Sequence, residues 1–406
     1  MEHGGQGFMT DISASAASGG QTSKSREARV LVFSHYQAFL QRHMALNYDF
    51  AQVIAEVEAA DILTPPAPAN RFWVETDKAV SLASRKLKLG PRAHIQSAQV
   101  ENDYDLFIML ASFPRDVSEL RRLKDWRRRC KQAVLVVNET WLVSLQETQG
   151  LGDLFAQFDR IYTAVPESIP LVEQYLKWPI HPLPTGLDVL FAAPYPHALS
   201  RIYDVYAMGR TPDALKQQLT EADSRGELSF LFDVVGSPFA ILDFNGHRIN
   251  KAAMIKRAKY FPCYAVRAFE NRKKGEAGAF DMIPFRFYEG AAAGCVLFGV
   301  APACGEFKTL FAWQDAVIEC PPDHPDFLGF LLDLDRDQDR IAAIRARNVA
   351  GSMRLNDWVY RYERILSDAG LSLPSQLIER KQLLAETAQT IERTGLPEAP
   401  KGRFHA

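Results

Sequence analysis

The 406-residue chain has no apolar run that reaches the ~18 residues of a membrane-spanning helix. Its first residues hold no apolar core of signal-peptide type, so nothing in them predicts export. Cysteine is scarce, with five residues at positions 130, 263, 295, 304 and 320. They form no close pair and no metal-ligand spacing, which argues against a disulfide framework and against a zinc site. Read as reduced, mostly buried thiols, they predict a cytoplasmic protein. An excess of one charge is also missing. Lys and Arg number 47 against 49 Asp and Glu, a net charge of −2. That balance leaves no electrostatic footprint for wholesale nucleic-acid binding, so no nucleic-acid partner is expected.

What is present fits a globular chain: 47% apolar residues and 24% charged. At roughly 150 residues per domain the length allows two or three domains. Residues 1–25 are rich in Gly, Ser, Ala and Gln and are expected to be disordered. Short apolar runs then recur: Arg29–Ser34, Leu106–Ala111, Ala133–Asn138 and Asp159–Ala164. Helical patterns separate them at Gln41–Ala60, Asp116–Lys131 and Pro166–Lys177. After a proline-rich stretch, His181–His197, the alternation restarts. Ile202–Met208, Leu228–Val235, Tyr260–Val266, Cys295–Val300 and Ala316–Cys320 read as strands. Continuous apolar strands alternating with helices imply parallel sheets covered on both faces. The expected fold is α/β, with two Rossmann-like domains facing across a cleft. Residues 26–197 form the first domain and 198–372 the second, with a helical tail over 373–406. A periplasmic-binding fold is the generic alternative, weakened by the missing export signal.

The most informative segment is Asp281–Gly299, DMIPFRFYEGAAAGCVLFG. Two carboxylates, Asp281 and Glu289, stand seven residues apart. Past Pro284 a helix is expected from near Arg286, and its free N–H groups suit an anion. Glu289 projects from the first turns of that helix, and small residues follow, among them Gly290 and Gly294. An apolar strand closes the segment. Cations and amides for a diphosphate, together with carboxylates for sugar hydroxyls, are what a nucleotide-sugar site needs. The bland alternative is an ordinary αβ junction with two surface carboxylates.

This segment resembles the donor-site signature of retaining glycosyltransferases of the two-domain GT-B type, the group-1 or family-4-like enzymes. Arg286-Phe287-Tyr288-Glu289 is similar to the Arg-x-x-Glu opening of one subgroup. Pro182–Asp188 resembles the Pro-x-Gly-Val-Asp segment that ends the first domain. Tyr206–Arg210 resembles the strand and Gly-Arg turn that opens the second. Arg347-Asn348 and Asn356-Asp357-Trp358 resemble the closing helices, within Gln338–Ala369. The resemblance spans about Arg29–Leu371 and implies transfer of a sugar from a nucleoside diphosphate to a hydroxyl acceptor, in glycan or polysaccharide synthesis. It implies Asp281 and Arg286 as catalytic candidates, and His35, at the end of the first strand where an α/β ligand site lies, is a third. It implies Gly209, Arg210, Lys256, Arg286, Glu289, Gly290 and Gly294 at the donor. The family's lysine after the Gly-Arg turn has no counterpart before Lys216, so Arg286 or Lys256 takes that place. Glu139 and Trp141, after another strand, are acceptor candidates, since Trp stacks on sugar rings. The acceptor is a sugar, a lipid-linked group or another hydroxyl. No cofactor or metal is expected.

Two signals are discounted. Asp103-x-Asp105 and Asp333-x-Asp335 imitate a metal motif, but one precedes a strand and the other opens a helix, where acids favour the dipole. The basic run Arg121–Arg129 reads as the solvated face of an amphipathic helix whose apolar face is Leu120, Leu123 and Trp126. Weak contact with a membrane surface stays open through that run, and Arg267–Lys274 reads as a mobile loop over the phosphates. The rival functions are a nucleotide-sugar epimerase of the same fold, with His35 central, and a non-catalytic scaffold.

Overall fold

A computed structural model describes residues 28–34, 45–64, 98–197, 199–233, 243–265 and 280–397. In chain order the first half contributes β1 (Val30–Ser34), β2 (Ala60–Leu63), β3 (Ala98–Gln99), β4 (Tyr104–Ala111), β5 (Leu123–Lys124), β6 (Cys130–Val137), β7 (Arg160–Thr163) and β8 (Ile180–Pro182). Six of these form one sheet, ordered β2-β1-β4-β6-β7-β8, while β3 and β5 pair separately. The second half adds β9 (Tyr203–Met208), β10 (Phe230–Asp233), β11 (Ala258–Tyr264), β12 (Val296–Val300) and β13 (Ile318–Glu319), ordered β10-β9-β11-β12-β13. All the pairings are parallel. In each sheet the strand order reverses once, between β1 and β4 and between β9 and β11. Ligands of open α/β sheets bind beyond the carboxyl ends of strands at such reversals.

The continuous apolar runs are explained by burial on both faces. Along β1, Val30 and Val32 join one core cluster and Leu31 and Phe33 another. β4 repeats this with Leu106, Ile108 and Leu110 against Phe107 and Met109. The period of two is that of a strand. The first cluster runs on through the helices Gln338–Leu355, Trp358–Asp368 and Ser375–Thr394 to Phe261, Cys263 and Leu297 of the second sheet. These closing helices return to the first domain. Tyr162 donates to Asp368 (2.7 Å), Gln132 to the Ala369 carbonyl (2.7 Å) and Arg380 to Glu56 (2.9 Å).

Several expectations change in detail. The helix expected over Asp116–Lys131 is instead a 3-10 turn Pro114–Arg122, the short strand β5 and one helical turn, Trp126–Arg129. Leu120, Leu123 and Trp126 are nonetheless buried together. The basic run around them is largely paired: Arg122 with Glu119, Arg127 with Asp159, Arg128 with Asp125 and Arg129 with Asp103. Pairing with neighbouring acids removes much of the positive field that membrane-surface contact would use. Gln338–Ala369 is two helices, broken at Asn356-Asp357, where Asp357 caps the second by accepting from the Val359 amide at 2.9 Å. Residues 1–25, His35 and Arg267–Lys274 lie outside the described residues.

Candidate active site at the interdomain cleft

The helix Phe285–Ala292 begins at Pro284 and carries no side-chain cap, so its first N–H groups are not satisfied by a capping side chain. Phe287, Tyr288, Ala291 and Ala292 are buried and anchor it. Phe287 meets Phe307 and Phe311 edge-on, at centroid distances of 5.9 and 6.3 Å. Burial of such a ring stabilises by about 1.5–3 kcal/mol. The helix follows β11, so its N-terminus lies at the carboxyl end of the second sheet, beside the reversal between β9 and β11.

β9 ends there too. Gly209 has φ +66°, a left-handed conformation that favours glycine. A β-carbon at that position would lie 3.1 Å from Nη2 of Arg286. Nη1 of Arg286 donates to the carbonyl of Arg210, while Cys263 at the end of β11 donates its thiol to the carbonyl of Arg286 (3.7 Å). The Gly209-Arg210 turn and Arg286 are thus brought together. Burial lowers the pKa of Arg286 below its ordinary value, and the charge of Arg210 acts in the same direction. A half-buried cation beside a second cation is relieved by an anion. Arg210 itself is exposed.

The first domain faces this turn. Glu139 follows β6, with its amide bonded to the Ser112 carbonyl (2.9 Å) and its Oε2 accepting from Trp141 Nε1 (2.8 Å). Burial raises the Glu139 pKa, while the Trp141 bond and the Arg210 charge pull it back. The charge of Arg210 thus acts on Glu139 from the other side of the cleft. Glu167, after β7, accepts from the Asp281 amide at 3.3 Å and so also crosses it.

The remaining candidates divide. Asp281 is 2% exposed, with one oxygen accepting from Met282 N (3.1 Å) and the other from Ala303 N (2.9 Å). Its carboxylate pins two loops at the cleft. Glu289 is buried and forms an ion pair with Lys251. Three donor candidates have a packing or hydrogen-bonding role in the fold. Lys256 donates to the Phe191 carbonyl (2.6 Å) and lies over the Phe191 ring, so it secures the hinge and not the turn. At Gly290 a β-carbon would lie 2.6 Å from both Leu297 and Phe261, so the glycine lets helix meet sheet. Gly294, at φ +68°, ends the helix at the far end from its N-terminus, and its carbonyl accepts from Arg201 (3.1 Å) and Arg345 (3.2 Å). Lys216 pairs with Asp213.

Sequence reasoning missed Lys251 and Arg248. Both lie on the helix Phe244–Ile255. Arg248 bonds Asp49 of the first domain (2.8 Å) and pairs with Asp188 of the hinge. Arg380 adds bonds to Asp188 and Asp357, both at 2.7 Å. Cations three residues apart on one helix were the available signal, but their partners lie far away in the chain. Around them is a narrow, solvent-open and mainly apolar pocket, lined by Tyr48, Phe191, Phe244, Phe285, Lys251 and Glu289 among others.

Pro182–Asp188 needs no ligand to explain it. Arg361 donates to the carbonyls of Pro184 (3.1 Å) and Thr185 (2.7 Å), and Gly186 packs under Trp358. Of the Asp-x-Asp pairs, Asp103 and Asp105 are bound by Arg129 and Lys131. Asp333 pairs with Arg336, and Asp335 accepts from Tyr260. Among the described residues no group of three or more His, Cys, Asp or Glu could hold a metal ion, and no helix is long and apolar enough to cross a membrane.

By sequence, no family model and no curated protein matches the chain. Solved structures do resemble it. An α-glucosyltransferase in complex with UDP-glucose and DNA containing an abasic site is 8% identical over 84% of this chain and 99% of that one, with a TM-score of 0.49. The Anabaena protein Alr3699/HepE in complex with UDP-glucose is 11% identical over 89% and 99%, with a TM-score of 0.43. The pneumococcal O-GlcNAc transferase GtfA in complex with UDP and GlcNAc is 12% identical over 73% and 60%, with a TM-score of 0.39. The exclusion of nucleic acid drawn from the net charge does not stand, because the first of these structures holds DNA. A near-neutral total charge says nothing of a local acceptor surface. The likenesses are of fold, and the architecture is the GT-B one: two Rossmann-like domains facing across a cleft.

Proposed function

We propose that the protein is a glycosyltransferase that moves a sugar from a nucleoside-diphosphate sugar to a hydroxyl acceptor in this cleft. The observation that carries the reading is Arg286, half-buried and held against the Gly209-Arg210 turn beside an uncapped helix N-terminus at the strand-order reversal. That arrangement suits a diphosphate, whose charge grows as the sugar leaves. Arg210, Arg286 and the helix amides meet that charge, and Glu289 accepts from the ribose. Asp281 shapes the loop over the sugar, and Glu139 with Trp141 lines the acceptor side. The bond from the anomeric carbon to the diphosphate oxygen breaks and a bond to the acceptor oxygen forms. The acceptor proton passes to the departing diphosphate, so no side-chain nucleophile is required. Retention of configuration, and a place in glycan or polysaccharide synthesis, belong to the proposal through the likeness of Asp281–Gly299 to retaining enzymes. A cytoplasmic setting belongs to it through the five free, buried cysteines.

The test is incubation with separate UDP-, GDP-, ADP- and TDP-sugars without acceptor. Slow release of the matching diphosphate, with the α or β configuration of the freed sugar read by NMR, is the expected result. An isomerised donor would mean an epimerase, and no binding of any donor would mean a scaffold.

A further inference from the structure

Glu289 sits on the fifth position of its helix with its side chain 6% exposed, in a pocket walled by Phe285, Phe244 and Phe191. A carboxylate enclosed in that way calls for a cation beside it. The cation present comes from another element. Lys251, on the helix Phe244–Ile255, places its ammonium against Oε1, and its own side chain is 13% exposed. The same ammonium lies 5.4 Å from the Phe285 ring centroid, one turn before Glu289, so the ring helps to fix it. The contact lacks the alignment of a hydrogen bond, and Oε1 has no directional donor. Oε1 is therefore charge-compensated but fully enclosed, and the second carboxylate oxygen is the one left to accept from a ligand hydroxyl.

We propose that Lys251 is a positioning residue for the donor: it pairs with Glu289 and holds it aimed into the pocket, so that the second carboxylate oxygen accepts hydrogen bonds from a hydroxyl-bearing ligand. The inference rests on the donor-site reading of Glu289. Neither helix alone makes the site. The two converge because both cover the same face of the second sheet, from the crossovers β10–β11 and β11–β12.

The test uses the full chain with Lys251→Met, Lys251→Arg, Glu289→Gln and the double variant Lys251→Met/Glu289→Gln. Without ligand, thermal melting reads the pair itself. Lys251→Met should lower Tm, and adding Glu289→Gln should recover part of the loss. Strictly additive shifts in Tm would overturn the pairing. With ligand, UDP, GDP, ADP and TDP are each titrated by calorimetry. For the diphosphate that binds, Lys251→Met should lose roughly tenfold in affinity, the scale of one hydrogen bond to a charged group. Lys251→Arg should recover most of it. A Lys251→Met variant that binds as tightly as wild type, while Glu289→Gln binds weakly, would overturn the positioning role. If Glu289→Gln also bound as wild type, the donor reading would fall, and the melting data alone would then decide the ion pair.

Discussion

Arg286 and residue 209 are in such close contact that a β-carbon on Gly209 would stand 3.1 Å from Nη2. The turn and the guanidinium are one unit, and each can be tested through the other. Gly209→Ala places a side chain at φ +66°, at a cost of about 1–2 kcal/mol for the left-handed conformation. It also displaces the guanidinium. Affinity for the cognate nucleoside diphosphate should fall about tenfold, the equivalent of roughly 1.4 kcal/mol. Calorimetric titration checks this. A variant with lowered Tm and unchanged affinity would separate the turn from the ligand.

Arg286→Met removes the same cation without touching the turn. Burial and the neighbouring Arg210 both disfavour its charge in the free protein. The variant should therefore melt no lower than wild type while losing roughly ten- to a hundredfold in sugar transfer, the scale of one transition-state contact of about 1.5–3 kcal/mol. Stability bought at the expense of activity is the mark of a functional cation. A clear fall in Tm with transfer intact would make Arg286 a structural residue.

How much of this was legible in the sequence depended on where the partners lay. Strands such as β1, β4 and β12 announce themselves, because burial on both faces demands unbroken apolar runs. β8 did not, since Ile180–Pro182 is a three-residue edge strand that ends in proline. β2 is four residues after a helix and offers too short a pattern. The Gly-Arg turn and Arg286 were both visible as local signals. Their mutual contact, 76 residues apart in sequence, comes from the parallel crossover. Gly290 and Gly294 looked like donor glycines because their spacing fits the motif. Their true constraints are a phenyl ring on β11 and the end of a helix, and neither leaves a trace in local sequence.

That reassignment is itself testable. A methyl group at residue 290 would sit 2.6 Å from Leu297 and Phe261. Gly290→Ala should cost about 1–3 kcal/mol of stability through overpacking. Diphosphate affinity of the folded protein should stay within a factor of two or so, well under the tenfold that ~1.4 kcal/mol would give. Denaturant unfolding beside calorimetry reads both quantities. Wild-type stability with weakened binding would restore Gly290 to the donor site.

The hinge gives a pH dependence of defined sign. Burial, and then the charge of Asp188, raise the pKa of Asp49 from 3.8 to about 6, against the pull of Arg248 and Lys251. The folded chain therefore holds a proton at Asp49 that the unfolded chain releases between about pH 4 and 6. The Asp49 contribution to stability falls as pH rises through that window and is flat above it. The difference in unfolding free energy between wild type and Asp49→Asn should decline from pH 4 to pH 7 by an amount on the order of 2 kcal/mol. Urea titrations at several pH values provide the measurement. A difference that grows with pH would mean that the pairing with Arg248 outweighs burial, with Asp49 held below its ordinary value.

The final prediction concerns divalent metal. A diphosphate leaving group needs positive charge close by, from an ion or from the protein. Here Arg286 lies against the turn that carries Arg210, and an uncapped helix N-terminus stands beside them. Guanidinium groups and helix amides both suit phosphate oxygens. The acidic pairs that might have carried an ion are engaged elsewhere, Asp103 and Asp105 with Arg129 and Lys131 and Asp333 with Arg336. A hard cation would have to displace those partners to gather its oxygen ligands. Donor hydrolysis and sugar transfer should therefore survive excess EDTA at wild-type rates. Loss of turnover in EDTA, restored by manganese or magnesium, would remove the cationic clamp as a sufficient mechanism. A further loss on Asp333→Asn would then place the ion at the C-terminal end of the helix Phe327–Asp335, where the charged run begins.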